Sequence, residues 1–522
     1  MRTVALALAI VLVSSEARAD DPFGWPEQGS EALGRGGAWV ARASDPIALA
    51  RNPAGLAGQP LRIAVGEDLA FAHRCFTRVK AANDTTDDGV APGASYPRTC
   101  DDAGVLPVGY VAMAIPVTPR FSIGAGVVTP TGVPRASWPS FVNGRPAPQR
   151  YLLVESTALM AIPTIGAAYE IASGLRIGAS FGWGLAWVRS SGAGAGLRQD
   201  GMKPEDDDTR VTVIAKDLFV PRATFGAQAA LGEHVELGAM FMASAPIDAT
   251  GDARTEAGAF SARAASGDGS AIAHGDTSTR DCGQSGGSAC GDGGNAHLSI
   301  PLPMQASAGV RVRLPRSGAP RSRDPIESEL GDVEIDLTWT QASSIDGYAL
   351  HFPSDAAGNG TIPVPGTAGT LPPDATSERR FRDVFGARLG GDANVIPGVL
   401  ALRAGGFVES RAGEPGFVGL ETFAGTRVGL AAGATVRIAD AKDRAFDLSI
   451  GFMHMFVSDV AQTNPTADGV RAITGTRCNI GEASSGAACP DGGAPYRTKW
   501  PVGLGTVTSA LDVVHVGAAY RF

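Results

Sequence analysis

The chain of 522 residues has few charged residues and no long stretch that suits a helix. Charged residues make up 19% of it, below the roughly 25% that is usual in soluble domains. Its 69 glycines and 35 prolines interrupt every long segment, which argues against a helical bundle or an α/β enzyme. Beyond residue 19 no uninterrupted apolar run reaches about 18 residues, so no transmembrane helix is expected.

Hydrophobic residues, by contrast, are abundant. They make up 44% of the chain, and the net charge is only −9, a combination that argues against disorder. A glycine-rich, apolar and helix-poor composition favours an all-β protein.

The first 19 residues read as a signal peptide. Arg2 supplies a positive start, residues 4–13 form an apolar core, and Ala17-Arg18-Ala19 is a small-x-small cleavage site before Asp20. The core is short for an uncleaved membrane anchor, which is the alternative. Cleavage removes two of the 44 basic and one of the 53 acidic residues, so the mature chain carries −10, which argues against a nucleic-acid partner.

The six cysteines lie in three close pairs within Gly-, Asp- and Ser-rich segments, without the spacing of a zinc site. In an exported protein such pairs predict three local disulfides, each tying down one loop, with free thiols as the alternative. The spacing does not prove the connectivity. The candidates are Cys75 with Cys100, Cys282 with Cys290, and Cys478 with Cys489.

Apolar and small or polar residues alternate along many short runs. In residues 175–188 the sequence LRIGASFGWGLAWV places Leu, Ile, Phe and Trp on one face and Arg, Gly and Ser on the other. Residues 333–340 repeat this pattern, and the run that ends the chain carries Tyr520 and Phe522 on its apolar face. A soluble β-sandwich also alternates in this way.

Two features favour a membrane barrel over a sandwich. Aromatic side chains stand near the ends of the apolar faces, and short connections alternate with long ones. The connection at residues 315–331 is an exception, since it is long where a short turn is expected. We predict a fourteen-stranded antiparallel barrel, with strands near 61–75, 106–118, 120–130, 150–171, 175–189, 217–231, 234–247, 297–314, 332–342, 381–391, 399–409, 426–438, 445–458 and 510–522.

Residues 20–60 do not alternate, and they precede the predicted barrel of residues 61–522. Forty such residues at the start of a barrel predict a plug inside the lumen. At the other end, an alternating strand that finishes on Phe522 is similar to the assembly signal of bacterial outer-membrane barrels, which implies the barrel assembly machinery as a partner.

Several motifs, in order along the chain, resemble the FadL/TodX-type outer-membrane transporters of long-chain fatty acids and other hydrophobic compounds. They are ALGRGGAWVA at 32–41, SDP at 44–46, NPAGLA at 52–57, EIDLTWT at 334–340, FRD at 381–383, RLG at 388–390, LRAG at 402–405 and FMHMFV at 452–457. Trp25, Trp39 and Arg51 depart from the family pattern, and so do the long acidic loops and the cysteines.

The resemblance implies a monomeric fourteen-stranded barrel with an N-terminal hatch in the bacterial outer membrane. It implies passive uptake, in which extracellular loops capture a hydrophobic molecule and movement of the hatch releases it. It also implies a kink in the third strand that opens the wall toward the lipid. Pro130 and Gly132 suit such an interruption, although an ordinary strand end is the alternative.

The candidate ligand and gating residues come from the hatch, the kink and one loop. Asn52, Pro53 and Ala54 form the NPA motif, which we interpret as shaping the hatch. Trp138 and Phe141 either collect ligand or anchor their loop to the barrel rim. Arginines on the inward faces either attract a carboxylate or belong to a network that pins the hatch, and the second interpretation is preferred.

No enzyme, cofactor or metal is predicted. Gly178-Ala179-Ser180-Phe181-Gly182 matches G-x-S-x-G, but Ser180 lies in the middle of an alternating run, and a nucleophile elbow needs a strand-to-helix turn. Two other functions stay open beside uptake of hydrophobic molecules. One is an adhesin- or receptor-like barrel whose disulfide-tied loops bind a surface partner, and the other is an outer-membrane lipid hydrolase.

Overall fold

The structure is a computed structural model, and it shows a closed antiparallel barrel. It describes residues 24–26, 28–84, 88–132, 135–195, 197–199, 208–276, 296–318, 322–364, 370–441, 444–468, 470–479 and 494–522. Within these residues no helix has the length and apolar character needed to cross a bilayer. The predicted signal peptide, Cys282, Cys290 and Cys489 lie outside the described residues.

Fourteen strands form the barrel wall, as predicted. Each strand pairs with its neighbours in the chain, and the last pairs with the first, from Arg62 opposite Arg521 to Arg78 opposite Gly505. The strands are β1 Arg62–Arg78, β2 Val105–Pro116, β3 Phe121–Val128, β4 Glu155–Ala172, β5 Leu175–Gly194, β6 Thr209–Leu231, β7 Val235–Ser244, β8 Gln305–Pro315, β9 Glu329–Thr340, β10 Val384–Ile396, β11 Leu400–Glu409, β12 Arg427–Ala441, β13 Arg444–Gln462 and β14 Gly505–Arg521.

Shorter elements lie in the N-terminal segment and in the connections. The helical ones are Ser30–Gly34, Pro46–Ala50, Pro53–Leu56, Ala262–Ala265, Gly269–Ala271, Pro325–Ser328 and Ala342–Ser344. The extended ones are Thr99–Cys100, Arg135–Ser137, Phe141–Val142, Arg145–Pro146, Leu197–Gln199, Ile247–Ala257, Ala273–Asp276, Ala296–Ile300, Gly347–His351, Asp374–Glu378, Ala472–Asn479 and Ala494–Pro501.

The two faces of the wall differ in chemistry, because side chains alternate across a strand. On β9, Ile335 and Leu337 point outward and are exposed, whereas Glu334 and Asp336 point inward and are buried. The same contrast holds on β5, where Phe181 and Trp183 face outward. An apolar outer face over a charged inner face is the pattern of a barrel that spans a membrane.

Some predicted strand bounds are wrong at the end of the barrel with the long connections. β5, β6 and β14 extend into segments expected to be loops, and the pairing of Thr209 with Gly194 shows that the wall continues there. The predicted strand 297–314 is two strands, Ala296–Ile300 and β8. Pro301 and Pro303 stand between them, and proline has no amide for a ladder.

We predict that the cost of a lipid-facing charge depends on its depth along β9. Ile335→Arg, at the middle of the apolar band, should lower the free energy of unfolding by about 2–4 kcal/mol, and Leu330→Arg, near the end, by about 1 kcal/mol or less. Denaturant unfolding in phospholipid vesicles measures both values. Equal costs for these two similarly exposed residues would contradict the placement of this band in lipid.

Candidate functional site

The N-terminal segment, here residues 24–60, fills one end of the barrel bore. Nearly all its side chains are buried. Its first helix, Ser30–Gly34, contacts β11–β14, and its two 3-10 helices contact strands between β1 and β6. Because these strands lie on different sides of the barrel, the segment crosses the lumen. It lies at the end with the short connections, where β1 begins and β14 ends.

Two buried arginines fix the N-terminal segment to the wall through carboxylates of β9 and β10. Arg35 Nη1 lies 2.5 Å from Asp332 Oδ1 and 2.7 Å from Asp392 Oδ1. Arg42 Nη1 lies 2.6 Å from Asp332 Oδ2, and Arg42 Nε lies 3.3 Å from Glu31 Oε2 of the same segment. Burial makes such charges costly unless they are paired, so removal of either partner is expected to be strongly destabilising.

The inward carboxylates of the EIDLTWT motif bind the backbone of the segment. Asp336 Oδ2 accepts from the amides of Trp39 and Val40 at 2.7 and 3.0 Å, and Glu334 Oε1 accepts from the amide of Ala41 at 2.6 Å. No described residue of the segment pairs with a strand inside the bore. These carboxylates therefore satisfy amides that a sheet would otherwise satisfy.

The NPA motif forms the start of the 3-10 helix Pro53–Leu56. The Asn52 side chain caps this helix, because its Oδ1 accepts from the amide of Ala54 at 3.3 Å. Its Nδ2 donates to the carbonyl of Val40 at 2.7 Å, which ties two loops of the segment together. These contacts are those of residues that shape the segment, and a role in ligand binding stays a prediction.

Two glycines of the wall make room for this motif. A Cβ atom at Gly226 would lie 2.0 Å from Asn52 Oδ1, and one at Gly178 would lie 2.4 Å from the carbonyl carbon of Pro53. Both distances are too short for any side chain. The strands β5 and β6 therefore accept the motif only because glycine stands at these two positions.

The other predicted lumen arginines belong to ion pairs or hydrogen bonds near the segment. Arg403 pairs with Asp392, and Arg437 pairs with Asp447. Arg311 and Arg313 pair with Glu236 and Glu329, Arg388 lies near Glu409, Arg176 pairs with Glu170, and Arg222 donates to Ser244. This arrangement matches a network that holds the segment.

The barrel wall is interrupted next to the third strand. β3 ends at Val128, opposite Ile162, and pairing with β4 resumes at Arg135, opposite Thr157. In the described ladders, residues 158–161 of β4 have no partner on this side. Pro130 and Gly132 lie in the intervening stretch, and a gating role for these two residues stays a prediction.

The N-terminal segment contacts this interruption from inside the bore. Thr131 Oγ1 donates to the carbonyl of Trp25 at 2.8 Å. Gln28 Nε2 donates to the carbonyl of Val108 at 2.9 Å, on the part of β2 that β3 no longer covers. The first described residues of the segment therefore line the gap.

A cavity of about 1340 Å³ lies at the opposite end, among the long connections. Its wall combines apolar residues, among them Val188, Val213, Leu298, Ile300, Phe352 and Leu371, with charged ones at Glu378, Arg379, Arg380, Asp468 and Arg471. Such a cavity is large enough for a drug-sized or longer hydrophobic molecule.

One arginine of the cavity lining lies against an aromatic ring rather than against a carboxylate, although Glu421 and Glu378 act on its charge from a distance. Among the described residues Arg471 makes no ion pair, and its guanidinium lies 5.8 Å from the centre of the Phe417 ring. Burial and the neighbouring Arg379 lower the pKa of Arg471 to about 10, so it keeps its charge at neutral pH. Arg379 itself pairs with Glu421.

The two predicted aromatic residues of the loop have different positions. Trp138 is buried against Leu152, Leu153 and Val502, which are contacts that an anchor makes. Phe141 is half-buried in the small hairpin formed by Phe141–Val142 and Arg145–Pro146. Neither residue lines the large cavity. A role of these two residues in ligand capture stays a prediction.

One of the three predicted disulfides lies within the described residues, and it is confirmed. Cys75 of β1 is bonded to Cys100, and their Cα atoms are 4.0 Å apart. Ser180 lies in the middle of β5 and is buried, so the G-x-S-x-G string forms no strand-to-helix turn. The described residues hold no group of three or more side chains suited to a metal ion.

Sequence reasoning missed the cavity and Arg471. The cavity is assembled from segments far apart in the chain, and Arg471 lies in a connection without a periodic pattern. The alternation of Leu298 and Ile300 was the one available signal. On the sequence alone, this alternation predicts a strand of the barrel wall.

Solved structures with the same fold include a FadL homologue and toluene transporters. The crystal structure of a Pseudomonas aeruginosa FadL homologue shares 16% identity with a TM-score of 0.64, and the match covers 96% of this chain and 100% of that one. The Ralstonia pickettii toluene transporter TbuX shares 13% identity with a TM-score of 0.54, over 96% of this chain and 100% of that one. The Pseudomonas putida toluene transporter TodX shares 12% identity with a TM-score of 0.54, over 96% and 100%.

These likenesses confirm the FadL/TodX resemblance at the level of the fold. The solved structures named here are a homologue of FadL and toluene transporters, not enzymes. No family model matches the sequence, and no curated protein matches it.

We predict that Arg35→Ala loosens the N-terminal segment and leaves the barrel intact. The change leaves Asp332, Asp392 and Glu334 buried with less compensation, which should cost the docked segment about 3 kcal/mol or more. Limited trypsin digestion in detergent, read by mass spectrometry, should then cut at Arg42 and Arg51. Arg120→Ala, at an exposed turn, is the control, and equal resistance in both variants would contradict the prediction.

Proposed function

We propose that the chain is a bacterial outer-membrane channel for the passive uptake of hydrophobic molecules. The observation that carries the proposal is the apolar cavity among the long connections, above a bore that the N-terminal segment fills. The free energy of a hydrophobic molecule falls when it leaves water for such a wall. In the proposal the long connections face the outside of the cell, and the segment acts as the hatch.

The division of polarity along the bore supports this function. Apolar side chains form the larger share of the outer cavity's wall, whereas paired charges surround the N-terminal segment. The cavity can therefore hold a greasy molecule while the segment blocks an open aqueous path. The toluene transporters and the FadL homologue that share the fold add support from the function their names state.

The wall interruption supports a lateral exit for the cargo. It lies beside the segment residues Trp25 and Gln28, so movement of these residues would uncover it. A hydrophobic molecule could then pass from the bore into lipid without entering the periplasm. In this scheme Pro130 and Gly132 keep the gap free of strand pairing.

Arg471 favours a cargo that carries an anionic head group. An arginine that holds its charge beside an apolar wall can bind a carboxylate through two parallel hydrogen bonds, while the chain packs against Leu298 and Ile300. A long-chain fatty acid has this combination of groups. A neutral hydrocarbon would use the apolar wall alone.

The remaining parts of the proposal concern assembly. The apolar outer face of the barrel contacts outer-membrane lipid, and the last strand, which ends at Phe522, is the site for the barrel assembly machinery. We propose a monomer, as the resemblance to the FadL/TodX-type transporters implies, and the pairing of β1 with β14 leaves no strand edge for a second copy.

A new charge among the apolar residues of the cavity wall should weaken binding of hydrophobic molecules. We predict that Leu298→Glu weakens binding of oleate and of toluene by about tenfold or more, because the new carboxylate loses hydration when either ligand enters. Titration of the purified protein in detergent with radiolabelled ligands measures this. Ser299→Glu changes the neighbouring residue, which does not line the cavity, and should bind both ligands like the wild type.

If neither Leu298→Glu nor Ser299→Glu weakens binding, the ligand binds outside this cavity. If the wild-type protein binds no hydrophobic compound at all, the result would favour the barrel as a scaffold for loops that bind a surface partner. Phospholipid hydrolysis that disappears in Ser180→Ala would favour a hydrolase instead.

Arg471→Gln should separate the two classes of cargo. We expect oleate binding to weaken by about tenfold or more, since a hydrogen bond to a charged group contributes roughly 1.5–3 kcal/mol. Toluene binding should not change, because toluene has no anionic group. An equal loss for both ligands would show that Arg471 shapes the cavity rather than reading the head group.

A further inference from the structure

The connection between β8 and β9 is unlike the others at its end of the barrel. The neighbouring turns there are as short as residues 173–174 and 232–234, whereas this one spans residues 316–328. It contains the helix Pro325–Ser328, and its Ile326 is only 1% exposed. This connection is here called the long turn, and its described residues 322–328 therefore fold back against the barrel rather than extending into solvent.

Acidic residues of the long turn tie it to the wall. Asp324 Oδ2 accepts from Arg437 Nη1 of β12 and from Arg521 Nη1 of β14, both at 2.6 Å. Glu327 Oε1 accepts from Arg521 Nη2 at 2.6 Å, and Asn394 Nδ2 of β10 donates to the carbonyl of Pro325 at 2.8 Å. The turn is thus held by strands on both sides of the barrel mouth.

Arg323 connects the long turn to the N-terminal segment. Its Nη2 donates to the carbonyls of Ala43 at 2.9 Å, of Arg42 at 3.1 Å and of Gly55 at 3.1 Å. Gly55 packs so closely on Ala43 that a Cβ atom at Gly55 would lie 2.2 Å from the carbonyl oxygen of Ala43. One guanidinium therefore bridges two loops of the segment, including the one that carries the NPA motif.

The contact made by Arg323 differs from those made by Arg35 and Arg42. Arg35 and Arg42 pair with buried carboxylates, whereas Arg323 is bound by carbonyls and makes no ion pair among the described residues. Burial and the neighbouring Arg176 and Arg311 lower the pKa of Arg323 to about 9, so it stays charged at neutral pH. Glu236 and Glu329 are the acidic groups near it.

A charge held only by carbonyls recovers its hydration when it is released into water. Release of Arg35 or Arg42, by contrast, would leave the buried carboxylates that pair with them without a partner. Release of the Arg323 contact therefore leaves no uncompensated charge in the bore.

We propose that the long turn is a clasp that holds the N-terminal segment closed, and that Arg323 is the positioning residue whose contact is released on opening. The proposal rests on the proposed function, in which the segment is the hatch of the channel. Arg35 and Arg42 keep the segment in the bore, and Arg323 sets how often its loops at residues 39–57 open when no cargo is present.

Hydrogen exchange on the full-length protein in detergent tests the clasp. In Arg323→Ala the amides of Ala43, Ala48 and Gly55, which are hydrogen-bonded within the segment, should exchange about tenfold faster or more than in the wild type. Arg323→Lys keeps a charged donor and should give an intermediate rate. Arg316→Ala removes an exposed arginine of the same turn and is the matched control.

The outcomes separate a clasp from a general structural role. Faster exchange confined to residues 39–57, with unchanged amides in the barrel strands, supports the clasp. Unchanged exchange in Arg323→Ala overturns it, and so does an equal acceleration in the strands or in Arg316→Ala. A planar-bilayer recording without cargo should also show more frequent open events in Arg323→Ala than in Arg316→Ala.

Failure of the clasp can be told apart from failure of the proposed function. If the wild type binds oleate and toluene but Arg323→Ala shows no local exchange effect, the clasp alone is wrong. If the local exchange effect is present and no hydrophobic compound binds, the channel function is wrong and the contact between turn and segment stands.

Discussion

The structure depends on the cost of an unpaired backbone amide in hydrocarbon. Each such group costs several kcal/mol, so a sheet in lipid has to close on itself. The pairing of β14 with β1 achieves this closure, and it leaves no strand edge for the residues before β1. The N-terminal segment therefore lies inside the bore, and side chains of the wall, such as Asp336 and Glu334, bind its amides.

This solution places charges where few soluble proteins would have them. A single carboxylate, that of Asp332, forms ion pairs with Arg35, Arg42 and Arg311, and all four side chains are buried. The network is a set of paired charges around one end of the bore, while a partly apolar cavity lies at the other end. A single closed barrel can thus hold both a polar seal and a ligand-sized cavity, because they occupy different heights along the same strands.

Much of the fold could be predicted from the sequence, and the reasons are local. Each barrel strand faces lipid on one side, and this produces the alternation in β5 and β9 and the final aromatic residue of β14. Such a pattern can be recognised without knowledge of distant residues. The strand ends were harder, because β5 and β6 continue beyond the apolar band with serine, threonine and arginine side chains that resemble those of a loop. Pro301 interrupts the predicted strand 297–314, although the alternation on either side of it predicts one continuous strand.

The candidate site was predictable only where it coincides with a motif. The NPA residues and the charged faces pointed to a filled bore, since both lie in regular patterns. Arg471 and Arg323 belong to connections, and their importance comes from neighbours that are far away in the chain. A single sequence contains no signal that joins Arg323 to Gly55 or Arg471 to Leu298, so the structure was needed to bring these pairs together.

The glycines that face the NPA motif have a consequence for how such a barrel can change over time. Gly178 and Gly226 leave a hollow in the wall whose shape matches the loop at Asn52 and Pro53. A larger residue in the wall would require a smaller one in the loop, and the reverse. Substitutions in the wall and in the loop are therefore expected to occur together. A chimera that combines the N-terminal segment of one such barrel with the strands of another would therefore clash sterically unless the glycines of the matching hollow were exchanged as well. This holds even where the two barrels have the same number of strands.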